Sequence, residues 1–386
     1  MDNLMSEIQP LYKELHAFIR KSLQQKYGDS IIESDGMIPH HLFEQVLAQT
    51  WSNLSIIENL FPFKNLPPIQ SVLEKRFKSL ELYEIADRFY QKLGFDEFTY
   101  KVWMKDIKMK NTSDDGYCSP YVYYQSPNVH LEYCEKMSFE MFLEIYSDMG
   151  KLYYAKEMTG LPGYFFNTHG LDEAIGKAAI LSTSTYHNLK AIGMIVDLNV
   201  TEEVEMNRLL RKSIESLMML PVKFVHIKLM EGLLSGSLDL KELNTKYWEL
   251  MKKHVGVKPP MNYVTKPDVP DMPSFFYIDM NWNGQSFSFD MEIMSYQMYK
   301  KFCELGEKYP KEPLHLCDMH GTKAVGDLLK NMMRLGNSKP FNETIATMLP
   351  EHPGTSSIGI LEYYSPVKEF LVKKNSEESV KPGWRQ

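Results

Sequence analysis

Ser147 and Lys151 stand four residues apart in the stretch Ser147-Asp148-Met149-Gly150-Lys151. On a helix that spacing sends both side chains out of one face. It is also the spacing at which two histidines grip a zinc ion, with a glutamate base following the first. Here a hydroxyl, a shorter carboxylate and an ammonium occupy those three places. Catalytic zinc draws three ligands from cysteine, histidine and carboxylate side chains. A lysine ammonium has no lone pair to offer at neutral pH. The frame of a hydrolytic metal site is therefore present without its chemistry. One further carboxylate, Glu173, lies downstream in Asp172-Glu173-Ala174-Ile175-Gly176-Lys177, with Lys177 four residues after it. His315, Cys317, Asp318 and His320 form a second run of ligand-type residues, and His40-His41 a third.

The element that must position Ser147 and Lys151 is a helix from Met137 to Gly160. Phe139, Phe142, Leu143, Tyr146, Met149, Gly150 and Tyr153 keep the i, i+3, i+4, i+7 spacing of an apolar stripe. Ser138 can cap its start, and Gly160 and Pro162 stop it. Upstream, residues 8–29 predict a helix with Leu11, Leu15, Phe18, Ile19 and Leu23 on one side, and a second is expected from His40 to Leu60. Shorter helices are expected over 70–80 and 82–93. Tyr121–Tyr124 and Val129–Tyr133 are β-branched and aromatic runs either side of Ser126-Pro127-Asn128, which predicts a hairpin. Beyond Gly170 helical patterns recur over 201–219, 221–235, 239–254, 289–308 and 321–335. The five prolines between Gly256 and Asn281 predict a loop there, and the charged residues from 373 onward predict a frayed tail. The fold class expected is mainly α with one small hairpin, as a single domain over 1–372 and a tail over 373–386.

Length and apolar content allow a large core in a chain of 386 residues. A net charge of -7, with no basic run, argues against a nucleic-acid partner. No stretch is long and apolar enough to span a membrane, and the first residues lack the basic and apolar regions of a signal peptide. Four cysteines fall into two close couples, Cys118/Cys134 and Cys303/Cys317. Their spacing suits two local disulfide loops, worth roughly 3 kcal/mol each in the chain-entropy picture; four unrelated thiols are the alternative. Asn53, Asn111, Asn199 and Asn342 head Asn-x-Ser/Thr sequons and are glycosylation candidates if the chain is secreted.

Several motifs, in order and at compatible spacing, resemble the angiotensin-converting enzyme family of zinc peptidyl-dipeptidases. They are Leu15-His16-Ala17-Phe18, Tyr27-Gly28-Asp29, Ile38-Pro39-His40-His41-Leu42, Pro313-Leu314-His315-Leu316-Cys317-Asp318 with Thr322-Lys323-Ala324, Gly336-Asn337-Ser338-Lys339-Pro340-Phe341 and Tyr364-Ser365-Pro366-Val367. Both cysteine couples also fall where that family has disulfides. The resemblance implies a gluzincin-type helical peptidase fold, with this chain starting after the family's N-terminal lid helices; such a truncation would leave the cleft uncovered and prone to self-association. It also explains the histidine-rich runs structurally: Cys317 is oxidised to Cys303, His315 has a family counterpart without a metal role, and His40-His41 starts a helix.

The same resemblance assigns what has been lost. The family's HEMGH corresponds to Ser147, Asp148, Met149, Gly150 and Lys151, and its HEAIGD to Asp172 through Lys177. Glu173 is then the residual zinc-ligand position. The oxyanion-steadying tyrosine maps to Ser288, the chloride-binding arginine to Phe287, a substrate tyrosine to Gln285, a substrate histidine to about Ile278 and a hairpin histidine to Ser119. No zinc or chloride is expected to bind. The function expected is a catalytically inactive pseudo-peptidase, secreted, with a peptide or protein ligand; the alternative is an active metallopeptidase with a rebuilt site. Lys151, with Lys177, is expected to replace the metal as a counter-charge for Glu173.

Overall fold

A computed structural model of the protein describes residues 1–43, 68–97, 107–110, 118, 120–125, 128–195, 200–260, 271 and 275–385, at 107, 110, 121–125, 128, 129 and 275–288 by backbone alone. The described residues are mainly helical. They separate into two compact units where one domain is expected: residues 1–66, 201–290 and 364–386 form the first, and 67–200 with 291–363 the second.

The first unit is built on α1 (Asp2–Tyr27). Leu11, Leu15, Phe18, Ile19 and Leu23 are all buried, as their spacing demands. The helix begins six residues earlier than the sequence pattern suggests and carries Pro10 within it. Of the helix expected from His40, the described part is a short 3-10 turn, His40–Leu42; residues 44–60 lie outside the described residues. Just before that turn β1 (Ile38–Pro39) pairs in parallel with β2 (Val257–Lys258), two short runs that no local pattern connects. The unit also contains α2 (Glu202–Ser216), α3 (Leu220–Leu234) and α4 (Leu243–Leu250).

The expected frayed tail is a correction. Helix α5 (Ser365–Glu377) runs through position 373, and residues beyond it strap back over α1. Asn375 donates to the Glu14 carbonyl at 3.0 Å, and Arg20 donates to the carbonyls of Lys381 and Gly383. The Trp384 ring lies 4.7 Å from that of His16, and its Nε1 donates to the Lys252 carbonyl at 2.6 Å. Charge suggested fraying; one indole and a buried guanidinium that satisfies peptide carbonyls outweigh it.

The second unit holds the stretch from which the candidate chemistry comes. Helix α6 (Phe139–Glu157) starts at Ser138, whose side chain accepts from the Met141 amide. It packs along α7 (Leu171–Thr183) and against α8 (Ser79–Lys92). A three-stranded sheet leads into it: β3 (Tyr121–Gln125) and β4 (Asn128–Cys134) form the expected antiparallel hairpin, with Ser126 and Pro127 outside the described residues. β5 (Ile107–Lys110) adds a parallel strand on the other side of β4, a pairing without a sequence signal. Cys118–Cys134 is a disulfide, and so is Cys303–Cys317. Helix α9 (Phe275–Leu305) begins inside the expected loop, because the five prolines all precede residue 274 and none stands in the way of a helix after it.

Candidate functional site

Helices α6 and α7 meet through small residues. Ser147 is buried and Gly150 and Gly176 lie beside it; a Cβ added at Gly176 would stand 2.8 Å from Ser147 Cα, and one at Gly150 2.6 Å from the Tyr90 hydroxyl oxygen. Tyr90, on α8, donates that hydroxyl to the Tyr146 carbonyl at 2.7 Å. On the same side of α6, Tyr153 donates to the Asp87 carboxylate, which also accepts from Gln91 at 2.7 Å. The pair of helices is therefore locked in place by close backbone approach and by buried hydrogen bonds from α8.

Lys151 does not reach Glu173. Its ammonium sits 3.0 Å from Asp148 on its own helix, and its side chain is 45% exposed. Burial opposes the charge on Lys151, but Asp148, Asp172 and Glu144 outweigh it and hold its pKa above the ordinary lysine value. Burial raises the Asp148 pKa, with Lys151 partly offsetting it. Glu173 instead takes Lys177, at 2.8 Å, and the same ammonium lies 2.6 Å from Glu292 on α9. Of the two lysines expected to face Glu173, Lys177 is the one paired with it, and Lys151 pairs with Asp148 instead. The face of α6 that meets α7 belongs to Ser147 and Gly150, so Lys151 leans outward toward its helical neighbour.

No motif in the sequence points to Glu292. The only trace of it is a lone carboxylate in the apolar run Met291-Glu292-Ile293-Met294, a place where an unpaired charge would be costly. The run His315 to His320 is tied into the second unit by a disulfide and hydrogen bonds. Cys317 is in a disulfide; the Asp318 carboxylate accepts from the Ser182 hydroxyl at 3.0 Å and from the His320 amide at 2.8 Å. His40 packs edge-on against Trp248 at 5.4 Å. Ser119 and the side chains of Ile278, Gln285, Phe287 and Ser288 lie outside the described residues, as do the sequons at Asn53, Asn111 and Asn199; Asn342 is exposed near the start of a short helix (Phe341–Ala346).

The family model described as angiotensin-converting enzyme, Peptidase M2, matches residues 1–384. The chain belongs to the angiotensin-converting enzyme family. It is 28% identical to an angiotensin-converting enzyme of Haematobia irritans exigua over 96% of this chain and 62% of that protein. It is 27% identical to that of Bos taurus over all of this chain and 30% of the relative. To an angiotensin-converting enzyme-related protein of Drosophila melanogaster it is 26% identical, over all of this chain and 62% of the relative. The chain thus spans less than two thirds of the length of these relatives.

Angiotensin-converting enzyme homology implies a zinc ion between α6 and α7, and the donors at those positions do not fit one. Ser147 is a buried hydroxyl against Gly176, Lys151 is an ammonium paired with Asp148, and the Glu173 carboxylate is paired with Lys177. Among the described residues no three His, Cys, Asp or Glu side chains converge as a metal-binding group. No helix among them is long and apolar enough to cross a membrane.

Proposed function

We propose that this chain is a non-catalytic member of the angiotensin-converting enzyme family, a pseudo-peptidase that acts outside the cell by binding a peptide or protein. The observation that carries the reading is the pairing of Lys151 with Asp148 and of Glu173 with Lys177 at the positions where the family places ligands and base. A metallopeptidase needs an ion with an open position to lower the pKa of a bound water. Two of the three ligand positions here offer a hydroxyl and an ammonium, and Asp148, which stands at the position of the base, is engaged by a cation one turn away.

The extracellular setting is supported by two disulfides, which persist in oxidising compartments, and by an exposed sequon asparagine at Asn342. A peptide or protein ligand is the partner class that family membership favours. The test is zinc content of the purified protein together with hydrolysis of peptides bearing a free C-terminus. No stoichiometric zinc and no chelator-sensitive release of dipeptides is the expected result. One equivalent of zinc with such release would overturn the proposal in favour of a rebuilt active site.

A further inference from the structure

Residues 381–385 lie in a groove of the first unit that reads one side chain and the peptide backbone around it. The Trp384 indole donates to the Lys252 carbonyl at 2.6 Å and packs 4.7 Å from the His16 ring and edge-on to Tyr12 at 6.1 Å. The Lys13 ammonium stands 5.7 Å from the indole centroid. Gly256 forms the floor, where an added Cβ would meet the indole at 2.5 Å. Arg20 donates to the Lys381 carbonyl at 2.7 Å and to that of Gly383, and the Asp35 carbonyl accepts from the Arg385 amide at 2.8 Å. Gly383 has a φ of +79°, a conformation that favours glycine. Lys381, Pro382 and Arg385 are exposed. What the groove recognises is therefore a Gly-Trp pair and the main chain on either side of it.

The walls of the groove are held without that segment. Tyr12 donates its hydroxyl to the Val255 carbonyl at 2.6 Å, His16 Nε2 donates to the Gly256 carbonyl at 3.2 Å, and Arg20 donates to the Gly36 carbonyl at 3.0 Å. The occupant hangs from α5 by the short connection 378–380, in which Ser379 takes a φ of +55°, uncommon for any residue but glycine. We propose that this groove is a peptide-binding site for a Gly-Trp segment, filled in cis by residues 381–385 and open to a Gly-Trp peptide of another molecule when they leave. Main-chain hydrogen bonds with one aromatic anchor are a recurring way for proteins to read a peptide. A tethered segment competes at an effective concentration of millimolar order. An outside peptide therefore binds only the fraction of molecules whose own segment is undocked. The site uses none of the residues from Ser147 to Glu173, so zinc found there would overturn the non-catalytic reading and leave this proposal standing.

The test is binding of a fluorescein-labelled peptide, Lys-Pro-Gly-Trp-Arg with blocked ends, to the full chain, read by anisotropy. Trp384→Ala empties the seat in cis and is expected to bind the peptide at least about tenfold more tightly than the parent does. Trp384→Phe keeps a ring but loses the donor to the Lys252 carbonyl, and should fall between the two. The same peptide with alanine in place of its tryptophan should bind none of the three. If Trp384→Ala does not fold, Trp384→Phe carries the test: the tryptophan peptide should raise its thermal midpoint and the alanine peptide should not. Equal affinity in parent and variants, equal affinity for the two peptides, or no binding to either variant overturns the proposal and leaves residues 381–385 as packing alone.

Discussion

A single lysine illustrates how far a spacing argument reaches. Lys151 occupies a position from which a histidine could hold a metal, and the sequence places it on the same helical face as Ser147. In the folded chain that face is divided. Ser147 is buried against Gly176, while the side chain of Lys151, four residues on, is 45% exposed and pairs with Asp148. An i, i+3 pair whose lysine end lies in water, even with Asp148 19% exposed, contributes less than a core ion pair, because water and salt screen it and the lysine side chain must be ordered. Lys151→Ala is accordingly expected to lower stability by less than about 1 kcal/mol, well short of the roughly 3 kcal/mol that breaking a buried ion pair costs. Urea denaturation of parent and variant measures the difference. A loss of about 3 kcal/mol or more would mean that Lys151 neutralises a buried anion after all.

Between elements, the decisive contact is backbone against backbone. Helices α6 and α7 approach where Ser147, Gly150 and Gly176 leave no side-chain bulk between them. A methyl group at Gly176 would meet Ser147 Cα at 2.8 Å, an atom that cannot rotate aside. Gly176→Ala should therefore be destabilising despite alanine's better helix propensity, by about 1–3 kcal/mol of overpacking. Thermal unfolding checks it, and a midpoint equal to or above the parent's would show that the helices can separate at little cost. Elsewhere a substitution that fills open space should behave normally: Gly163, for example, has no atom within 4 Å of an added Cβ.

At the scale of the molecule, acid sensitivity follows from histidines buried in the first unit. Burial depresses His16 to a pKa of about 3, with the nearby Arg20 charge adding to the effect and the Gly256 carbonyl opposing it. Burial alone lowers His226 to about 4. The unfolded chain takes up these protons near pH 6.5, whereas the folded chain resists them. Their contribution to stability is thus complete above about pH 6.5 and is lost as pH falls toward the folded values, at roughly 1.4 kcal/mol per pH unit for each histidine. The urea midpoint should drop between pH 7 and pH 5, and His226→Gln should flatten that dependence. An identical slope in parent and variant would show that carboxylates elsewhere dominate the response.

Much of this was legible in the residues. The apolar stripes of α1 and α6 follow from their 3.6-residue period, the Ser138 cap from local backbone chemistry, and the β3–β4 hairpin from β-branched and aromatic runs around a turn. The two couplings of cysteines were legible as short loops. Family membership, too, was readable from ordered motifs. What the sequence could not express is which distant groups meet. Residue 292 reaching Lys177, β5 adding to β4, β1 pairing with β2 and Trp384 closing over His16 all join segments that share no local pattern. Charge partners and parallel strands are chosen by the packing of whole helices, since a side chain goes to whichever partner the backbone has already brought within about 3 Å. The residue types at Ser147, Asp148, Lys151 and Glu173 were therefore plain in the sequence, while the identity of the cation at Glu173 was decided only by the fold.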